Sequence, residues 1–165
     1  MTVLGVDPAL NRLGWAVVAE LPCLKVVAHG CISPARTLSF PEKLRALHAG
    51  LEEIVHARRP DVIAIEEIYV GRNVRVALKI GQVIGMVMAL GLRTGVPFET
   101  LAPRDVKKTI VGTGSAEKGQ VRFMVEYLTK AAGLSTLDES DAVAVALAYL
   151  TARKVDDLLR RGNAC

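Results

Sequence analysis

At 165 residues, 51% apolar and 23% charged, the chain has the size and composition of one folded domain, with a core built from Val, Ile, Leu and Ala because aromatics are only 4%. Its three cysteines, Cys23, Cys31 and Cys165, are odd in number and show no C-x-x-C spacing; this excludes a disulfide framework or a zinc site and suits core or tail positions in a reducing cytosol. The net charge of +4 is weak but uneven: Tyr69 to Arg122 holds nine Lys or Arg against three acids, which suits a polyanion such as nucleic acid and equally a solvated lysine-rich face.

The opening MTVLGVDPAL lacks the basic lead and apolar run of a signal peptide. Within it, Thr2–Asp7 reads as a buried strand ending in an acid, with a turn at Pro8. Gly14–Glu20 and Cys23–Ser33 read as two further strands, and the short link at Pro22 makes them an antiparallel pair. Ser39 then caps a helix that has Pro41 and Glu42 in its first turn, carries Leu44, Leu47, Leu51, Ile54 and Val55 on one face, and stops before Pro60. Asp61–Glu66 is a β-branched strand, and a helix from Val74 to Thr94 follows and ends at Gly95. Its apolar stretch Ile80–Leu92 falls short of a membrane span, contains Gln82 and is flanked by Lys79 and Arg93, so a buried helix is expected. Pro97–Leu101 is another strand, Pro103 starts a short helix to Val111, and GTGSA leads into a helix over Glu117–Ala132. A last helix is expected from Glu139 to Val155, making residues 1–155 one domain and leaving 156–165 as a basic tail without regular structure. The order β-β-β-α-β-α-β-α-α-α predicts an α/β fold, a five-stranded mixed sheet flanked by helices on both faces. It is the order of the ribonuclease H-like fold, and fits other α/β proteins too.

Asp7 and Glu66 each close a strand, where an acid is cheaper than in mid-strand; taken singly, either is an ordinary strand-end residue. Asp138 and Asp141 stand three apart at the start of the last helix and so share a face. Helix capping accounts well for Asp138 and less well for Asp141, which heads the apolar stripe Ala142, Val145, Ala146 and Tyr149; Glu139 is expected to face solvent. Were the four acids to meet, they could not all ionise unaided, and two divalent cations would neutralise them. Oxygen-only ligands favour Mg²⁺ or Mn²⁺, and such a metal pair is the usual device for in-line phosphodiester hydrolysis.

The blocks LGVDPALNRLGWAVV, DVIAIEEIYVGRNVRVALKIGQVIG, RDVKKTIVGTGSAEKGQV and DESDAVAVALAYL, in this order, resemble RuvC Holliday-junction resolvases from Thr2 to about Thr151. The resemblance implies a ribonuclease H-like homodimer in the cytoplasm that makes paired nicks in four-way DNA junctions with Mg²⁺ or Mn²⁺, with branch-migration partners RuvA and RuvB. It also implies that Asp7, Glu66, Asp138 and Asp141 are the metal ligands and that Lys107 and Lys118 lie near the scissile phosphate. Tyr69 matches an aromatic that stacks on a junction base, and Arg72, Asn73, Arg75, Lys79, Arg104, Lys108 and Arg122 are candidate DNA contacts. Gly81 and Gly85, four apart, lie on the helix the family uses for dimerisation. Two departures from the family pattern, Ala9 where Gly is common and Ser140 where a small apolar residue is common, remove no ligand.

Three alternatives stay open on the residues alone. A phosphate-binding domain of the actin and sugar-kinase type also begins with a strand, an Asp and a turn, yet needs a second domain and leaves Asp138 with Asp141 unexplained. A nuclease-dead DNA-binding module would not need all four acids, and an RNA-cleaving relative would share them. GTGSA lacks the spacing of an ATP-binding loop, so no nucleotide cofactor and no membrane partner are expected.

Overall fold

The structure is a computed structural model that describes residues 1–20, 23–68, 73–130 and 134–162. Three strands, β1 (Thr2–Asp7), β2 (Leu13–Ala19) and β3 (Lys25–Ile32), form an antiparallel meander. Helix α1 (Phe40–Arg58), strand β4 (Val62–Glu66), helix α2 (Val74–Thr94) and strand β5 (Phe98–Leu101) then add two strands parallel to β1. Helices α3 (Pro103–Val111), α4 (Lys118–Thr129) and α5 (Leu137–Gly162) complete the chain. The sheet order is β3-β2-β1-β4-β5, the five-stranded mixed sheet expected from the element order.

Alternation along the strands builds a core on each face of the sheet. Leu4, Val6, Val17, Ile63 and Ile65 face α1 and α2, where they meet Leu47, Leu51, Val83 and Val87. Val3, Ala16, Val18, Val62 and Ala64 face the other way, towards Val106, Val121, Val125 and the wholly buried run Ala142–Leu150 of α5. Each large aliphatic side chain in these layers contributes ~1.5–3 kcal/mol of burial. Helix α5 crosses β1 and β2 at close range: a β-carbon at Gly5 would overlap the carbonyl oxygen of Ala142, and one at Gly14 would overlap that of Asp138.

Several expectations are corrected. Helix α2 is not a buried helix: Val83, Val87 and Leu90 are buried, while Val74, Leu78 and Leu92 are exposed, because only one face meets the sheet. At 21 residues it is long and apolar enough to cross a membrane, contrary to the shorter apolar count, but a third of it lies in the core. Residues 156–162 are not a structureless tail: α5 runs on to Gly162, exposed over residues 156–160 and supported by helix-forming side chains and an Arg153–Asp157 pair one turn apart. Cys23 is exposed and belongs to neither core nor tail.

Candidate active site

The two strand-borne acids meet because of period and register. Val6 of β1 pairs with Ile65 of β4 in parallel, so Asp7 and Glu66 leave the same sheet edge side by side. Asp7 continues the row Val3–Gly5 and Glu66 the row Val62–Ala64, both on the face covered by α5. The glycine contacts described above bring the first turn of α5, with Asp138 and Asp141, onto that same edge.

The electrostatics confirm that the acids are neighbours. Burial, reinforced by the charge of Asp141 and to a lesser degree Asp138, and eased by Lys118, pushes the Asp7 carboxyl up to about 6. Burial and the charges of Asp7 and Asp141 push Glu66 up to about 7, and the Asp7 and Glu66 carboxyls lie close enough to share a hydrogen bond. Lys118 donates to Asp141 Oδ2 at 2.9 Å, and this bond raises the lysine above its ordinary value. Arg12, on the turn between β1 and β2, reaches Asp138 Oδ2 at 3.0 Å. The acids therefore form a close triple, Asp7, Glu66 and Asp141, with Asp138 beside it.

Two hollows flank the cluster. One, of about 570 Å³, is lined by Asp7, Glu66, Asn73, Val76 and Ile80 among others. The other, of about 190 Å³, is lined by Glu66, Lys107, Lys118 and Asp141, which places both expected lysines at the acids. Among the described residues no three His, Cys, Asp or Glu side chains already stand as a closed metal cage. Instead Arg12 and Lys118 occupy one oxygen each of Asp138 and Asp141. The donor set is all carboxylate, and two of its members are kept from full ionisation by burial and repulsion. Such a set fits a hard divalent cation, which would stabilise their ionised forms.

The other expected contacts divide. Arg104 and Lys108 are exposed on α3, and Arg104 shares a hollow with Lys107 and Glu67. Arg75 and Lys79 are exposed on the first turns of α2; Lys79 lies 5.6 Å from the centre of the Phe40 ring. Asn73 lines the large cleft and also caps α2, its Oδ1 accepting from the Val76 N–H at 3.2 Å. Arg122 is turned to a structural task, bonding Glu126 and the Leu134 carbonyl at 2.9 Å each, because its guanidinium closes the end of the α4–α5 connection. Gly81 and Gly85 are exposed, with open space above them. Tyr69 and Arg72 lie outside the described residues.

Three participants were missed. Arg12 looks like any turn arginine, and nothing in its spacing marks it. Glu139 does not face solvent: it is 7% exposed and accepts from the backbone N–H groups of Ser135 (2.8 Å) and Thr136 (3.2 Å). Burial opposes its charge, but these bonds outweigh it and hold the carboxyl below its ordinary value. Thr136 completes the reciprocal cap, its hydroxyl accepting from Glu139 N at 3.2 Å. The T-x-x-E pattern in TLDE is the signal that would have found both.

Comparison with known proteins agrees with this geometry. The family model for crossover junction endodeoxyribonuclease RuvC matches residues 3–149. The chain is 41% identical to the RuvC of Azorhizobium caulinodans over 148 residues, 89% of this chain and 88% of that one. It is 40% identical to the RuvC of Hyphomonas neptunium over 146 residues, 88% of this chain and 87% of that one. Among solved structures, T. thermophilus RuvC in complex with a Holliday junction substrate superposes with a TM-score of 0.87 at 28% identity, covering 94% of this chain and 96% of that one. The yeast mitochondrial Holliday junction resolvase Ydc2 shares the ribonuclease H-like fold at a TM-score of 0.64 and 15% identity, over 90% of this chain and 78% of that one. With four acids gathered at one sheet edge and nearly its whole length matched, the chain belongs to the RuvC family of crossover junction endodeoxyribonucleases.

Proposed function

We propose that the chain resolves four-way DNA junctions by symmetric paired nicks, with Asp7, Glu66, Asp138 and Asp141 holding two Mg²⁺ or Mn²⁺ ions. The observation that carries this reading is the meeting of Asp7 and Glu66 with the first turn of α5, where burial and then neighbouring charges lift both strand-borne carboxyls. When bound, divalent cations supply Lewis-acid activation of the attacking water and of the leaving 3′ oxygen. The remaining steps belong to the protein. Asp7 and Glu66, rigid on adjacent strands, fix one side of the site, and Asp138 and Asp141 on α5 fix the other. Lys118, already beside Asp141, offsets the negative charge that develops on the phosphate. Lys107, at the rim of the same hollow, holds a non-bridging phosphate oxygen.

Substrate binding falls to the basic surface around the clefts. Arg75, Lys79, Arg104 and Lys108 neutralise backbone phosphates, and Tyr69 and Arg72, which follow β4 in sequence, are further junction contacts by the resemblance. Two nicks related by symmetry call for two sites, and the exposed apolar stripe of α2 with its open glycines, Gly81 and Gly85, suits a two-fold interface. The solved relative bound to a Holliday junction supports the substrate; a cytoplasmic setting alongside RuvA and RuvB is what the resemblance implies. The test is incubation of the protein with a synthetic four-way junction, a plain duplex and an RNA–DNA hybrid, each with Mg²⁺, Mn²⁺ or chelator. Symmetric nicks confined to the junction and dependent on metal are expected; cutting of the hybrid alone, or cutting in chelator, would overturn the reading.

A further inference from the structure

The acids at the start of α5 work only if the helix presents them at the right angle. A carboxylate ~5–6 Å from the helix axis moves by about 0.5 Å for a rotation of about 5°, and that displacement is the tolerance of a ligand constellation. Gly5 and Gly14 fix the distance of α5 from the sheet, since the backbones touch there. In the first turn the nearest atoms at Gly14 all belong to Asp138, and contact at one residue leaves rotation of the turn about that point to be resisted elsewhere.

What resists that rotation is a buried carboxylate between the two acids. Glu139 Oε2 accepts three bonds, from Ser135 N (2.8 Å), Ser135 Oγ (3.0 Å) and Thr136 N (3.2 Å). In return Glu139 N donates to Thr136 Oγ1 at 3.2 Å. The cap is also tied sideways to the sheet through β3: Cys31 Sγ lies 3.5 Å from Thr136 Oγ1, while His29 Nδ1 approaches Glu139 Oε2 at 3.6 Å without a hydrogen bond. An ordinary helix cap is solvent-exposed and local, whereas this one joins the last helix to the outermost strand.

We propose that Glu139, through its reciprocal cap with Thr136, is a positioning residue that fixes Asp138 and Asp141 against the strand-borne Asp7 and Glu66. It touches neither substrate nor cation; it acts by setting the rotation of the turn on either side of it. The proposal rests on the carboxylate-site reading given above. Glu139 bonds the turn and not the ligands themselves, so the loss expected for Glu139→Ala is about tenfold in Mn²⁺ affinity, the low end of the 10–100-fold range for groups bonded directly to a ligand. Glu139→Gln keeps an acceptor for the same backbone donors and restores most of it, because Gln serves at this cap position as Glu does.

The experiment measures Mn²⁺ binding to the DNA-free protein by electron paramagnetic resonance of the free ion, alongside junction cleavage against Mn²⁺ concentration, junction binding in chelator and thermal melting. Glu139→Ala should bind Mn²⁺ about tenfold more weakly, need correspondingly more Mn²⁺ for half-maximal cutting, and keep junction affinity within about twofold; Glu139→Gln should return towards the parent protein. Thr136→Val, which removes only the acceptor for Glu139 N, should shift Mn²⁺ affinity in the same direction by a few-fold, and decides the matter if Glu139→Ala does not fold. Unchanged Mn²⁺ affinity in Glu139→Ala or Thr136→Val, whatever the loss in melting temperature, would overturn the proposal, as would a Gln variant no better than Ala. Cleavage that persists in Asp7→Asn would instead sink the underlying carboxylate reading, so the two failures are separable.

Discussion

Asp7→Asn tests the electrostatic account directly, because the account makes this substitution stabilising. In the folded chain the Asp7 carboxyl titrates at about 6 against 3.8 when unperturbed. At 1.36 kcal/mol per pKa unit, the ionised folded form carries a cost of ~3 kcal/mol, reduced to ~2 kcal/mol by the water that reaches the cluster. The sign follows from the raised folded value. Below the unfolded value the group is neutral in both states and costs nothing. As pH rises the unfolded chain ionises first, the folded chain binds more protons, and stability falls until about pH 6, beyond which the loss is complete. Asn removes that loss, and it also relieves Glu66 of the largest charge acting on it. A chain of this size gains ~2–4 °C in Tm per kcal/mol. In chelator, then, Asp7→Asn should melt ~4–8 °C higher than the parent at pH 7.5, with the gap closing towards pH 4. Saturating Mn²⁺ should raise the parent more than the variant and shrink or reverse the gap, while cleavage is lost and junction binding kept. Differential scanning calorimetry across pH 4–8, with and without Mn²⁺, reads this out. A variant that melts below the parent at pH 7.5 in chelator, or a gap that does not change with pH, would refute the reasoning.

Lys118→Ala should slow junction cleavage by roughly 10²–10³-fold, the scale of one lost charge-stabilising donor, while junction affinity in chelator changes little; single-turnover kinetics and gel-shift binding separate the two. Gly5→Ala places a methyl group on the Ala142 carbonyl, 2.9 Å from Ala146 N, so α5 must lift away. A stability loss of ~2–3 kcal/mol, measured by urea unfolding, should accompany the loss of cleavage. Leu78→Glu alters a side chain that is 65% exposed on α2, so the monomer fold should persist while sedimentation shows the proposed two-fold dimer shifted to monomer.

The strands and helices that frame the site were legible because their signals are local: alternation ending in Asp7, β-branched residues ending in Glu66, Pro103 opening α3 and Gly95 closing α2. The meeting of the acids was legible only through the resemblance, since no spacing rule tells that β1 and β4 are adjacent and parallel. Glu139 was misread because a charge beside two candidate ligands was assigned to solvent, although TLDE carries the pattern of a reciprocal cap. Arg12 was invisible because its partner, Asp138, is 126 positions away along the chain. Helix α2 was misjudged because an apolar stretch has the same composition whether it is enclosed or merely half covered, and only its fit against β4 and α1 separates Val83 from Leu78. The run from Asp156 to Gly162 has helix-forming residues and no core to pack on, so burial, the usual guide, said nothing about it.

Because the acid cluster draws its first member from the seventh residue and its last from the final helix, it is the last thing the chain completes. A fragment ending between Leu101 and Leu137 would hold all five strands and the two strand-borne carboxyls but lack the turn that closes the constellation. The order of the chain thus makes the docking of α5 on β1 and β2 the step that brings the four carboxyls together.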